Sequence, residues 1–518
     1  LKVDESTLVV AADGNQRRLA LGLPDAGAIL YGNQEGAVGG TRGSGAVHVG
    51  VVEVEDDDNG DPNRLNLSHP AFEDGLGNNR VRDTEMCKLR AFERKCTNSA
   101  VGTIGSHGTK VASTLLADLT LGQDPNYSSS AERVKRSGIA RSAEMTYYLV
   151  SRQDSYANVA TAIEAATFDD EVDIVTMSLS EPATSDRLCS NEDYAGVRSA
   201  IRAAENAGML VIVASGNNGE EVSGCSVSSH ATIPDTVAVG ATDDVTTLAG
   251  LETVGVWSKS SRGTFTAVLD GGSEVSARII DLVVNGKIHL WADGADTYGS
   301  TGSTGTSYAA PQVAGAAVML KTWLDNYFLE DDYGSVPYAL RAFLSVMGDG
   351  AAGASGGGQN SYTVDTTTGF GHLRFVDLEQ EVGSLGTWGF GGGSPLVLTE
   401  GEMRQWPVGN TSAESSSIKG WKFAALIDYD YYDGGPDIRF ELVDRCPAGG
   451  GEQVVKTARE APLKARMRMS SADEMEEKYH GRCLWIRATA EHLPNATVTI
   501  WAADYYYSNP RASHDMGG

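Results

Sequence analysis

The 518-residue chain holds no C-x-x-C pair and is short of positive charge. It also has no apolar run of the ~18 residues that a membrane-spanning helix requires. Each absence removes a class of protein. Without paired C-x-x-C spacing, a structural zinc site or a thioredoxin-like redox site has no ligand pattern to stand on. With 41 basic against 69 acidic residues and a net charge of −28, general nucleic-acid binding is excluded, because phosphate contacts need clustered Lys and Arg. No membrane span is expected. Leu1 is not an initiator Met and opens no signal-peptide pattern, so a processed, mature form is the expectation.

What is present is a globular composition, 41% hydrophobic and 21% charged, in a length that accommodates one large domain and a smaller one. The six cysteines fall into three local pairs, Cys87 with Cys96, Cys189 with Cys225 and Cys446 with Cys483. Six cysteines allow about 15 connectivities, of which sequential pairing is the simplest. An even count without metal spacing points to an oxidising, extracellular setting. N-x-[ST] sequons stand at Asn66, Asn126, Asn410 and Asn495.

Residues 1–45 read as a lead-in. From residue 46 to about 380, short apolar runs alternate with helical patterns. Val47–Val52, Met145–Val150, Val172–Leu179, Met209–Ala214 and Val237–Val239 read as strands. Thr109–Leu119, Val159–Ala166, Ala195–Ala207, Ser307–Leu324 and Pro337–Met347 read as helices. That alternation implies an α/β domain with a parallel sheet covered on both faces. The glycine-rich stretch 381–395 reads as a linker. Beyond it, residues 396–518 carry short alternating segments such as Ile438–Leu442 and Val498–Trp501, which suggest an all-β sandwich.

Three segments carry chemistry: Ser106-His107-Gly108-Thr109, Ser215-Gly216-Asn217-Asn218-Gly219 and Gly305-Thr306-Ser307-Tyr308-Ala309-Ala310-Pro311. A serine hydroxyl becomes a nucleophile when a base such as histidine takes its proton. The resulting oxyanion needs donors, and an Asn side chain can be one. Taken singly, the His is an ordinary helix-start residue, the Ser an N-cap and the Asn-Asn-Gly a turn.

Taken together and in order, these segments resemble the subtilisin family of serine peptidases. HGTKVASTLLA is similar to the block around that family's catalytic histidine, VDIVTMSLS to its substrate-lining strand and AGMLVIVASGNNG to the strand and turn of its oxyanion asparagine. TIPDTVAVGATD, GTSYAAPQVAGAAVML, LRAFLSV and GFGHLRFVDL extend the resemblance from about Val47 to Leu378. It implies Ser307 as nucleophile, His107 as general base and acid, and Asn217 as oxyanion donor beside the Ser307 N–H. It also implies Ser178, Leu179, Ser180, Glu181 and Gly216 along the substrate. Tyr308 stands where the family usually has Met.

The family's triad aspartate has no plain counterpart. The run VHVGVVEVEDDDNGDP puts Glu53 at that place, with Asp56 as the second choice. A carboxylate there must orient the imidazole. Glu181, with Glu220 and Glu221 behind it, would favour Lys or Arg just before the scissile bond, unless its side chain points to water. G-x-S-x-G at residues 353–357 lacks the strand-turn-helix context of a hydrolase elbow and reads as a loop. Glu55–Gly60 resembles the start of a calcium loop but offers Asn66 where a Glu is needed. Asp428, Asp430, Asp433 and Asp437 could hold calcium or keep a turn hydrated. No cofactor is required, and calcium stays open as a structural ion.

The C-terminal region loosely resembles the jelly-roll domains that follow many secreted subtilases. The expectation is a secreted serine endopeptidase acting on proteins or peptides, with a removed pro-segment serving as its inhibitor. The rival is an inactive binding or scaffold protein on the same fold.

Overall fold

The computed structural model describes residues 47–55, 65–73, 78–90, 93–98, 106–118, 137–152, 155–190, 195–233, 235–243, 255–268, 274–288, 291–292, 298–299, 302–327, 336–349 and 367–373. Beyond these it describes 385–388, 396–407, 420–428, 437–446, 450–458, 464–469, 483–493 and 497–507. Asp56, the 353–357 loop, the aspartates at 430 and 433 and the lead-in 1–45 lie outside the described residues.

A ten-stranded sheet organises the first part of the chain. Its strands are β1 (His48–Val54), β2 (Val81–Arg90), β3 (Glu93–Asn98), β4 (Glu144–Val150), β5 (Ile174–Met177), β6 (Leu210–Ala214), β7 (Thr236–Thr242), β8 (Leu282–Asn285), β9 (Gly348–Asp349) and β10 (His372–Leu373). They lie in the order β9-β10-β8-β7-β6-β5-β1-β4-β2-β3. All neighbours are parallel except β2 with β3 and β9 with β10. The subtilisin-like α/β expectation holds: a mostly parallel sheet with helices on both faces.

The central strands are apolar and largely β-branched because both of their faces are covered. Val49, Val51, Tyr147, Ile212 and Val239 face a layer of three helices, α1 (Ser106–Leu116), α4 (Thr306–Tyr327) and α5 (Val336–Val346). Val52, Tyr148, Val175, Val211 and Val213 face the other layer, α2 (Ser155–Phe168) and α3 (Ala195–Asn206). Alternate residues of one strand thus serve two cores. That alternation turns Glu53, two residues after Val51, toward the layer that holds α1 and α4.

Three disulfides form, in the sequential pairing: Cys87–Cys96, Cys189–Cys225 and Cys446–Cys483. The first joins residues directly opposite each other on β2 and β3. The second ties the chain after β5 to the chain before Ser228. Asn66, one of the four sequons, is 2% exposed and accepts hydrogen bonds from the Ser68 N–H and Oγ, which excludes a glycan in this fold.

The segment expected as a linker contains a strand, β11 (Leu385–Trp388), which pairs with the C-terminal strand β19 (Thr497–Tyr507). Thr387 and Trp388 are strand formers, and here they outweigh Gly386 within the strand and the glycines around it. Beyond it, β12 (Leu396–Thr399), β14 (Gly420–Asp428) and β17 (Lys464–Met469) complete a five-stranded sheet with β11 and β19. A four-stranded sheet comprises β13 (Met403–Pro407), β15 (Asp437–Asp444), β16 (Gln453–Ala458) and β18 (Leu484–His492). Both are antiparallel. Ala424 of β14 joins the buried cluster that includes α5, so this sheet docks against the first part of the chain.

Candidate active site

His107 and Ser307 occupy equivalent places, each the second residue of a helix, α1 and α4, and the two helices pack together. A helix start supplies N–H groups without intrahelical partners and the positive end of the dipole. Glu53 comes from the C-terminal end of β1 and is 1% exposed. Its Oε2 lies 2.9 Å from His107 Nδ1. Since a carboxylate accepts, Nδ1 carries the proton, and Nε2 keeps its lone pair for another partner. The His107 side chain is 28% exposed, open on one side.

Glu53 reaches the imidazole although it is one methylene longer than Asp. Its other oxygen accepts from the Val54 N–H at 3.3 Å, which holds the carboxylate back on its own strand. The charge of Glu53 is felt nearby. Burial first, then Glu53, push the Tyr147 hydroxyl well above its usual range.

Asn217 follows β6 through Ser215 and Gly216. Gly216 has φ +105°, and a Cβ there would lie 2.8 Å from Ser228 Oγ and 2.9 Å from Ser261 Oγ, so only glycine fits. Asn217 Oδ1 accepts twice from Thr306, from its N–H at 3.0 Å and its Oγ1 at 2.9 Å. The oxygen of the amide therefore caps the serine helix, and the Nδ2 end is left to donate. Nδ2 lies 3.8 Å from where a Cβ on Gly305 would stand, as does the Ser307 N.

Ser178 Oγ donates to the Ser307 carbonyl at 2.9 Å. Pro311 stands four residues after Ser307 and has no N–H, so the usual i to i−4 helix bond to that carbonyl cannot form. Ser178 supplies the missing donor and fixes the serine turn to the end of β5.

Glu181 faces neither a substrate cation nor water. Its side chain is 4% exposed, and Oε2 accepts from the Ser229 N–H at 3.0 Å. Oε1 accepts from Ser229 Oγ and, at 3.4 Å, from the Tyr156 hydroxyl, with His230 Nδ1 at 3.5 Å. Burial holds the His230 imidazole below its usual range, against the opposing pull of Glu181. The carboxylate is turned inward because the Ser229 turn meets its need for donors within the protein. It gives no direct ion-pair partner for a basic substrate residue. Its main chain does frame the site: the Glu181 carbonyl accepts from Asn218 Nδ2 at 2.8 Å, and its N–H donates to Ser228 Oγ at 3.3 Å.

Neither the Thr306–Asn217 contact nor the packing of Tyr308, whose ring stands 5.7 Å from the His107 ring with a tilt of 43°, is legible in the sequence. Pro311, four residues after Ser307, was the legible signal that an outside donor must serve the serine turn. Cys87 and Cys96, which lie near Glu85, are bonded to each other and offer no thiolate for a metal.

This fold and this constellation define a serine-peptidase-like site. The chain belongs to the subtilase family, whose family model matches residues 61–344. Glu53 lies before the matched stretch. Subtilisin DY of Bacillus licheniformis is 30% identical over 218 residues, 41% of this chain and 62% of that protein. Subtilisin NAT of Bacillus subtilis subsp. natto is 29% identical over 220 residues, 42% of this chain and 45% of that protein. The chain thus matches less than two thirds of either relative's length. Among solved structures, Sphericase aligns with a TM-score of 0.43 at 21% identity, covering 65% of this chain and 96% of that one.

Proposed function

We propose that this protein is a serine endopeptidase that cleaves peptide bonds through an acyl-enzyme on Ser307. The observation that carries the reading is the 2.9 Å contact between Glu53 Oε2 and His107 Nδ1, on the helix that packs against the serine helix. Glu53 holds the proton on Nδ1, so Nε2 takes the Ser307 proton as Oγ attacks the substrate carbonyl. The imidazolium that forms is balanced by the Glu53 carboxylate. The oxyanion meets the Ser307 N–H at the start of α4 and Asn217 Nδ2. His107 then gives its proton to the leaving amine, and water attacks the acyl-enzyme by the same route in reverse.

The substrate lies along Ser178-Leu179-Ser180-Glu181, opposite Gly216. The three disulfides support an extracellular setting. The two antiparallel sheets after residue 385 support a jelly-roll-like sandwich appended to the peptidase domain. The rival reading as an inactive scaffold drew its weight from the missing aspartate, and the Glu53–His107 contact supports the peptidase over it.

The test is labelling with a fluorophosphonate probe. Wild type should be labelled, and Ser307→Ala and His107→Ala should not. A folded wild type that resists the probe would overturn the proposal.

A further inference from the structure

Ser307 is followed by Tyr308, a residue 6% exposed in the seam between α4 and α1. It stands against the His107 imidazole at 5.7 Å between ring centroids. Its hydroxyl is hydrogen-bonded with Ser303, on the short strand Ser303–Thr304 just before the serine helix. Ser303 Oγ also accepts from Lys110 Nζ at 3.4 Å, and Lys110 sits one turn beyond His107 on α1. The Tyr308 carbonyl is held by Gln312 Nε2 at 2.7 Å. A single side chain thus spans the serine helix, the histidine helix and the strand between them, with its ring against the imidazole.

We infer that Tyr308 is a positioning residue that holds the His107 imidazole in register with Glu53. The inference rests on the proposed triad. The need for such a stop follows from Glu53. A glutamate has one more torsion than an aspartate, so the carboxylate end is less fixed for a given strand position. His107 is partly open to solvent, and its ring can swing outward unless something packed stands beside it. The Tyr308 ring is rigid, buried and anchored at its far end, so it blocks that swing. Burial, and after it the Glu53 charge, push the Tyr308 hydroxyl up to about 12, so the residue stays neutral through the working range.

Two measurements test this, on the full chain. The first is steady-state hydrolysis of a peptide substrate. Tyr308→Ala should lower kcat by about 10²-fold, the cost of a misplaced catalytic group, with KM within about twofold. Tyr308→Phe, which keeps the ring and loses only the anchor, should recover kcat to within about threefold of wild type. The second is a proton NMR spectrum in the Ser307→Ala background, where neither turnover nor self-cleavage intervenes. The downfield signal of the His107 Nδ1 proton, identified by its loss in His107→Ala, should persist with Tyr308→Phe and vanish with Tyr308→Ala. Thermal unfolding shows that the variants compared are folded. A Tyr308→Ala protein that keeps both the Nδ1 signal and kcat overturns the inference while leaving the proposed triad intact. If wild type shows neither turnover nor labelling, the triad itself fails. In that case the NMR result still decides whether Tyr308 holds the imidazole.

Discussion

The hydroxyl of Ser178 occupies the place that Pro311 leaves empty, donating at 2.9 Å to the carbonyl of Ser307. Without it, the buried carbonyl of Ser307 would lack its donor. A carbonyl left so costs about 1–3 kcal/mol. Ser178→Ala should therefore destabilise the serine turn and lower kcat by about tenfold or more. Activity assays with a thermal melt check this. Unchanged kcat and an unchanged melting temperature would show that the bond is incidental.

Asn217 divides its amide between two tasks. Its oxygen caps α4 through Thr306, and in the proposed mechanism its nitrogen serves the oxyanion. Asn217→Ala removes both, whereas Asn217→Asp keeps the cap and removes the donor. Both should lower kcat by about 10²–10³-fold, the range that holds for one oxyanion donor in a subtilisin. Only the alanine should also lower the melting temperature, since loss of a cap costs about 1 kcal/mol. Equal melting temperatures for the two variants would separate Asn217 from the capping role.

Glu85 on β2 lies among carboxylates. Burial, then the charges of Asp170, Asp83 and Asp169, raise its acid from 4.5 to about 7. An acid with a raised folded pKa contributes stability that is full below the unfolded value and is lost as pH rises through the folded one. Between pH 5 and 8 the wild type should therefore lose melting temperature relative to Glu85→Gln. The gap should reach about 2 °C or more at pH 8. Parallel melting curves across that range would contradict it.

The parallel sheet was legible because its strands are short apolar runs between helical patterns, and covered strands must be apolar on both sides. β2 was not. VRDTEMCKLR is polar along much of its length, and its partner β3 is ERKCTN, so this edge hairpin carries little hydrophobic signal. β8 is four residues long and sits among weak patterns. At the site, Ser307, His107 and Asn217 were legible because each lies in a helix-start or turn motif with its own local grammar. Glu53 was legible only as the end of an apolar strand. The inward turn of Glu181 was not, because its donors, Ser229 and Tyr156, come from segments far apart in the chain. Tyr308 was seen only as a departure from the family pattern, since its contact with His107 exists across two helices.

Glu53 is the carboxylate of the proposed triad. Glu53→Gln probes that role alone, because the amide keeps the shape but no longer holds the proton on His107 Nδ1. The measurement is kcat on a peptide substrate, with folding checked by thermal melt. A fall of about 10⁴-fold in a folded protein is expected, as when a triad carboxylate becomes an amide. A folded Glu53→Gln enzyme with kcat within about threefold of wild type would contradict it.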